Sequence, residues 1–304
     1  MITPKQFTFV FLGFMGIILI ISMALYLLDI PYTSNDVIRQ YQMQKIQASA
    51  PVNIIIVGDS SAGLGIDAGE FSKIIGQPTL NLALTGSFGI AGSYNVMRHA
   101  VAKHPVKTVI FMHTLTTWKT PFSTQGFLES LDKLPIGDMQ NAYKRKNAYA
   151  DILQAALNPQ EILWYIQHLR GSSAPLPVIG DDYFVQHDDQ FSNGKKTDPG
   201  IFIAPRVERS NRAALTVIGT YCTSHAIQCL IVHGPILSLV YDRSRPAIKR
   251  IEERIQQVTG VVFVPFVSSV PIEYMGDTVE HVAPAYKKEM TRRYAETLKP
   301  YIKN

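Results

Sequence analysis

The chain has 304 residues, of which 46% are hydrophobic and 17% charged, and its formal net charge is +5. This length and composition exclude a disordered chain and allow one large domain or two small ones. The small positive excess is too dispersed to indicate a nucleic-acid-binding protein. Two cysteines are too few for a disulfide scaffold or a cysteine-rich zinc module.

The first predicted element is an uncharged, mostly apolar run at residues 7–28. About 20 apolar residues span a bilayer as a helix, whereas a cleaved signal peptide has an apolar stretch of about 7–15 residues. We therefore predict an uncleaved transmembrane anchor within residues 1–30, with a signal peptide cleaved after Ala24 as the alternative. Because Lys5 precedes the run and Asp29 follows it, the positive-inside rule predicts a cytoplasmic N-terminus and an exported remainder. The predicted protein is single-pass, in a bacterial inner membrane, with a periplasmic domain.

After a polar, glutamine-rich segment at residues 31–51, which we interpret as a short helical stalk, strands and helices alternate. The predicted strands are residues 52–57, 79–84, 106–112, 228–232 and 261–264, and the predicted helices are 67–75, 88–103, 206–225, 245–259 and 284–302. This alternation predicts an α/β domain over residues 52–304, a three-layer sandwich with a doubly wound parallel sheet. A long insertion at about 114–205 interrupts it, and such an insertion is typical of a lid, a binding loop or disorder.

A glycine pattern after the first strand, Gly63-x-Gly65-x-x-Ala68, formally fits a dinucleotide-binding fingerprint. In that fold the first glycine directly follows the strand, but Gly63 lies five residues beyond Gly58, and no acidic residue closes the second strand. We therefore predict no cofactor. The acidic loop around His187 lacks recognisable ligand spacing and predicts no metal site.

The strongest candidate for chemistry is a serine at the carboxyl end of the first strand, where ligand sites of open α/β sheets lie. The chain there reads IIIVGDSS, so Asp59 and Ser60 directly follow the strand. A nucleophilic serine needs a histidine base and a carboxylate that orients the base. His281 precedes the last predicted helix, and both Asp277, four residues before it, and the adjacent Glu280 are candidates for the acid.

The order of these motifs resembles the SGNH (GDSL-type) hydrolase superfamily: GDS after the first strand, NLALTGS around the second, and Asp…His-x-x-Pro-x-Tyr before the last helix. The resemblance covers residues 52–304 and implies an SGNH, flavodoxin-like sandwich. It also implies Ser60 as nucleophile and His281 as base. The backbone amides of Ser60 and Gly86 are implied as donors of the oxyanion hole.

Two positions depart from the family pattern. The family has an asparagine after the third strand that completes the oxyanion hole, but this chain reads FMHTLTTWKT there. His113, Thr114 and Thr116 are the candidates to replace it, and Thr114 is the residue we assign. The family acid normally lies three residues before the histidine, where Thr278 stands, so Asp277 can serve only if the loop bulges by one residue.

Within the superfamily, the chain resembles membrane-anchored proteins of cell-surface polysaccharide acylation. This resemblance implies acetyl transfer through an acyl-Ser60 intermediate to a polysaccharide hydroxyl, with a multi-span membrane acyltransferase as a candidate partner. The alternatives are an esterase or deacetylase that uses water at the same site, and a catalytically weak module that binds glycan or acts as a scaffold. Asp59, His113 and His233, at strand ends, are predicted either to line the substrate site or to be structural.

Export also changes what the cysteines predict. Cys222 ends a predicted helix and Cys229 opens a predicted strand. In an oxidising compartment these two residues can form a disulfide, and two buried thiols are the alternative.

Overall fold

A computed structural model of the chain describes residues 3–27, 34–121 and 203–303. Most of the predicted insertion, including the acidic loop around His187, lies outside the described residues. The strands are β1 (Ile54–Gly58), β2 (Thr79–Asn81), β3 (Thr108–His113), β4 (Gln228–His233), β5 (Ile236–Leu237), β6 (Val262–Phe263) and β7 (Ser269–Val270). The helices are α1 (Pro4–Leu27), α2 (Ser34–Ala48), α3 (Ser60–Gly65), α4 (Ala68–Ile75), α5 (Gly89–Lys103), α6 (Arg209–Ser224), α7 (Ser238–Gln256) and α8 (Lys287–Leu298).

The described residues form an α/β fold around a five-stranded parallel sheet with the strand order β2-β1-β3-β4-β6. The predicted α/β class and parallel sheet are thus confirmed. β1 and β3 are buried along their whole length, as expected for parallel strands covered on both faces. The chain passes from β1 outward to β2 and then returns to the other side of β1 at β3. Ligand sites of open α/β sheets lie at such a reversal, beyond the carboxyl ends of the strands.

The N-terminal segment begins with α1 (Pro4–Leu27). In the part of the chain that the structure describes, no helix combines the length and the apolar character that a bilayer crossing requires. The structure therefore does not confirm the anchor predicted for residues 7–28.

The predicted stalk is helical, but it belongs to the domain. The apolar face of α2 that is buried in the domain consists of Ile38, Tyr41 and Ile46. Two buried polar side chains of α2 donate to backbone carbonyls at the end of β2: Gln42 Nε2 to Ala83 O at 2.7 Å and Lys45 Nζ to Asn81 O at 3.0 Å. Because these contacts give the buried nitrogens of Gln42 and Lys45 acceptors, α2 packs as part of the core and does not stand free of it.

A disulfide joins α6 to the sheet. Cys222 at the end of α6 is bonded to Cys229 in β4, with their Cα atoms 6.2 Å apart. Both cysteines are buried. Of the two alternatives left open by the sequence, the structure therefore contains the bonded one.

Two glycines lie where neighbouring segments of the backbone pack too closely for a side chain. A Cβ on Gly58, the last residue of β1, would collide with the backbone carbonyl of Met112 in β3. A Cβ on Gly234, which directly follows β4, would collide with Ser61 Oγ. These contacts bring the start of α3, and with it Ser60, against the carboxyl ends of β3 and β4.

Candidate active site

Three side chains from two distant parts of the sequence form one hydrogen-bonded chain. Ser60, the first residue of α3, has its Oγ 2.8 Å from His281 Nε2. His281 Nδ1 lies 2.7 Å from Asp277 Oδ1. With the Nδ1 proton directed at the carboxylate, Nε2 is left to accept the serine proton. The side chains of His281 and Asp277 are 12% and 25% exposed, so the arrangement lies at the surface of the domain.

Asp277 reaches His281 because the loop folds back on itself. We call residues 275–282 the histidine loop. Its ends pair as an antiparallel bridge between Met275 and Val282. Inside it, the Gly276 N–H donates to the His281 carbonyl at 2.7 Å. This closed turn brings a carboxylate four residues before the histidine onto its ring, at the position where the sequence required a bulge.

Glu280, the alternative acid, is hydrogen-bonded to the segment after β3 and not to the His281 ring. Its carboxylate accepts from the Thr116 N–H at 3.2 Å and from Thr116 Oγ1 at 2.7 Å. Burial raises the pKa of Glu280 to about 7, opposed by the Thr116 hydroxyl bond and assisted by the nearby charge of Asp59. Of the two carboxylates, the structure thus places Asp277 on the histidine and Glu280 on the segment that follows β3.

Asp59 is the hydrogen-bonding centre of the loop before Ser60. Its Oδ1 accepts from the N–H and Oγ of Ser61, and its Oδ2 accepts from the Thr114 N–H and Thr117 Oγ1. Burial alone would raise the pKa of Asp59, but attraction to His113, 3.5 Å away, and hydrogen bonds from Ser61 and Thr114 outweigh it. The pKa is therefore held far below its usual range, and the carboxylate stays ionised as a structural acceptor.

Two backbone amides are available to bind an oxyanion. Among the described residues, neither the Ser60 nor the Gly86 N–H has a hydrogen-bond acceptor. Gly86 begins a single 3₁₀ turn, and the space beside its Cα is open. N–H groups without an acceptor are the kind of donor that the predicted oxyanion hole requires.

The side chains offered as the third donor differ in which hydrogens they have free. His113 is buried, with Nε2 3.1 Å from Ser93 Oγ. Thr116 directs both its N–H and its hydroxyl at Glu280. Within the described ranges, the Thr114 hydroxyl contacts only the hydroxyls of its neighbours Thr116 and Thr117. Of the three candidates, Thr114 therefore has the hydroxyl hydrogen that no carboxylate takes.

A cleft of about 160 Å³ opens beside Gly86, and neither Ser60 nor His281 is among the residues that line it. Its walls include Gly86, the hydroxyl-bearing residues Thr114, Thr116 and Thr117, and Asn211 of α6. Within the described ranges, no charged side chain lines this cleft. The lining suits an uncharged group that carries hydroxyl or carbonyl oxygens.

The predicted substrate-lining residues Asp59, His113 and His233 are all buried, and the described cleft wall includes none of them. His113 with Ser93 and Asp59 forms a second serine–histidine–aspartate set, but it is sealed inside the domain and out of reach of a substrate. His233 accepts a hydrogen bond from Trp118 Nε1 at 3.3 Å. Burial lowers the pKa of His233 to about 3, so it is neutral at physiological pH.

Asn211 was not identified from the sequence. It lies on α6, and its Nδ2 donates to the carbonyl oxygens of Thr117, Trp118 and Thr120 at 2.9, 3.2 and 2.9 Å. One amide thus fixes the segment that carries the threonines. About 90 residues separate it from that segment, most of them in the insertion, so no local spacing could have indicated this contact.

Comparison with protein-family models, with curated proteins and with solved structures found no match. In the part of the chain that the structure describes, no group of three or more His, Cys, Asp and Glu side chains could hold a metal ion.

Proposed function

We propose that the protein is an SGNH-type serine acyltransferase, built on a doubly wound three-layer sandwich, that moves an acetyl group to hydroxyls of a cell-surface polysaccharide. The observation that carries the proposal is the continuous hydrogen-bonded chain from Ser60 through His281 to Asp277. The backbone N–H groups of Ser60 and Gly86, which have no acceptor among the described residues, and the uncharged cleft that Gly86 lines also support it.

The geometry supports a two-step reaction. His281 Nε2 takes the Ser60 Oγ proton as Oγ bonds to the ester carbonyl carbon, and the carbonyl oxygen becomes an oxyanion. The oxyanion collapses, the bond to the leaving alcohol breaks, and His281 returns the proton to that alcohol. His281 then deprotonates the acceptor hydroxyl, which attacks the acyl-Ser60 carbonyl. Collapse of the second intermediate frees the product ester, and Ser60 Oγ recovers its proton.

The character of the cleft supports a neutral acyl group and a hydroxyl-bearing acceptor. Threonine hydroxyls and a backbone N–H can exchange hydrogen bonds with a sugar, and charged side chains are absent from the described lining. An esterase or deacetylase would use the same Ser60 and His281, with water in place of the sugar hydroxyl. A multi-span membrane acyltransferase is the partner we propose as the source of the acyl group.

We propose an oxidising, extracytoplasmic location for the domain. The Cys222–Cys229 disulfide supports it, since such bonds persist outside the reducing cytosol. The inner-membrane anchor over residues 7–28 is a separate proposal from sequence, and the chemistry at Ser60 does not depend on it.

The test is turnover of p-nitrophenyl acetate by the full chain, compared with Ser60→Ala. We expect the substitution to abolish release of p-nitrophenol, while Ser224→Ala, at an exposed serine on α6, leaves it unchanged. Undiminished turnover in Ser60→Ala would contradict Ser60 as the nucleophile. No turnover in the folded wild type would contradict an enzymatic function and favour the glycan-binding or scaffold alternative. With excess oligosaccharide acceptor, acetylated sugar supports transfer, and free acetate alone supports hydrolysis.

A further inference from the structure

Two tyrosines stack on each other at the two ends of the histidine loop. Tyr274 ends the 3₁₀ turn Ile272–Tyr274, and Tyr286 ends the 3₁₀ turn Pro284–Tyr286. Their ring centroids are 4.2 Å apart, and their ring planes differ by 14°. The two turns thus place one aromatic stack at the base of the loop that carries His281.

The two rings differ in exposure. Tyr286 is partly buried and packs against the hydrophobic core, whereas Tyr274 is 42% exposed. Since Tyr286 covers one face of the Tyr274 ring, this exposure requires that much of the other face and of the ring edge is open. An aromatic face that is open to solvent can pack against the C–H groups of a pyranose ring.

The register of the histidine loop places Tyr274 on the same side as His281. Met275 and Val282 form the bridge, and both are buried. Because successive side chains of paired strands point to opposite faces, Tyr274 and His281, which flank the bridge, point away from the core. Tyr274 lies opposite Ala283, whose N–H donates to the Tyr274 carbonyl at 2.9 Å. His281 is therefore a diagonal neighbour of Tyr274 across the pair, at a separation of about 7–8 Å.

The charges of this stretch favour a neutral sugar over an acidic one. Residues 271–286 include three acids, Glu273, Asp277 and Glu280, and no lysine or arginine. The stretch therefore offers no cation to the carboxylate of an acidic sugar, and its own negative charges would repel that carboxylate.

We propose that Tyr274 is the stacking platform of an acceptor subsite, on which a neutral pyranose unit of a polysaccharide packs beside His281. The sugar bound there, or the unit linked to it, presents a hydroxyl to the histidine. Tyr286 supports the platform from the side of the core. The acceptor role of the bound sugar rests on the acyl transfer proposed for Ser60, but the binding of the sugar does not.

The experiment measures the binding of cellohexaose, mannohexaose and chitohexaose to the full chain by isothermal titration calorimetry, without an acyl donor. We expect the wild type to bind at least one of them, and Tyr274→Ala to raise its Kd by about tenfold through loss of the aromatic contact. Tyr274→Phe, which keeps the ring, should bind like the wild type. Tyr301→Ala, at a tyrosine that is 37% exposed in the C-terminal 3₁₀ turn, is the matched control and should also bind like the wild type.

The outcomes separate the subsite from the proposed function. If none of the three sugars binds, if Tyr274→Ala keeps the wild-type Kd, or if hexagalacturonate binds more tightly than all three, the inference is wrong while Ser60 chemistry stands. Binding that depends on Tyr274, without Ser60-dependent turnover of p-nitrophenyl acetate, supports the sugar site and contradicts the proposed acyl transfer. A rise in Kd that accompanies a lower melting temperature in Tyr274→Ala, and that Tyr274→Gln does not share, also contradicts the platform.

Discussion

The substitution Asp277→Asn removes the negative charge beside His281 while keeping an oxygen that can accept the Nδ1 hydrogen. In the proposed mechanism His281 becomes an imidazolium in the transition state, 2.7 Å from the Asp277 carboxylate. Two unit charges at that separation attract by about 6 kcal/mol at an effective dielectric constant of about 20, and by about 1.5 kcal/mol in bulk water. Since the two side chains are 12% and 25% exposed, the loss should lie between these limits. At about 1.4 kcal/mol per factor of ten, kcat should fall by between about tenfold and about 10⁴-fold.

The assay is kcat for p-nitrophenyl acetate in Asp277→Asn, Glu280→Gln and the wild type, at a pH above the Glu280 ionisation. Because Glu280 contacts Thr116 and Asp277 contacts the histidine ring, we expect the larger loss in Asp277→Asn. The reasoning is refuted if Asp277→Asn retains at least half of the wild-type kcat while Glu280→Gln loses 10³-fold. That result would make Glu280 the orienting acid.

Three further predictions concern the fold that carries the site. Reduction of the Cys222–Cys229 disulfide, which closes a loop of sequence separation 7, should lower the free energy of unfolding in urea by about 2.5 kcal/mol; an unchanged midpoint would contradict this. Gly58→Ala should cost about 1–3 kcal/mol or more, since its Cβ collides with the Met112 carbonyl; a wild-type melting temperature would show that β1 and β3 can separate freely. Because burial disfavours the protonated form of His233 and lowers its pKa to about 3, the fold should lose up to about 1.4 kcal/mol of stability per pH unit as pH drops from about 6.5 toward about 3. His233→Asn should therefore flatten the acid side of the stability curve, and an equally steep loss in the variant would exclude His233 as its cause.

The parallel sheet was predictable because strands buried on both faces read as continuous apolar runs. The packing of α2 was not, because its buried face contains Gln42 and Lys45 beside the apolar residues. In a sequence, glutamine and lysine normally indicate a solvent-exposed face of a helix. Their partners are the carbonyls of Ala83 and Asn81, which only the folded chain brings within reach.

The site was predictable only in part. The order of the serine and histidine motifs pointed to Ser60 and His281, which the structure places 2.8 Å apart. Spacing alone could not choose between Asp277 and Glu280, since the choice depends on how the histidine loop closes. Position at a strand end also could not show that the His233 side chain turns inward, beneath Trp118.

The most direct test of the central claim, that Ser60 is a nucleophile, is the intact mass of the folded full chain after treatment with a serine-directed phosphonate. We predict a single adduct, assigned to Ser60 by fragmentation of its peptide, and no adduct in Ser60→Ala. An unmodified wild type, or an adduct on another serine, would contradict the claim.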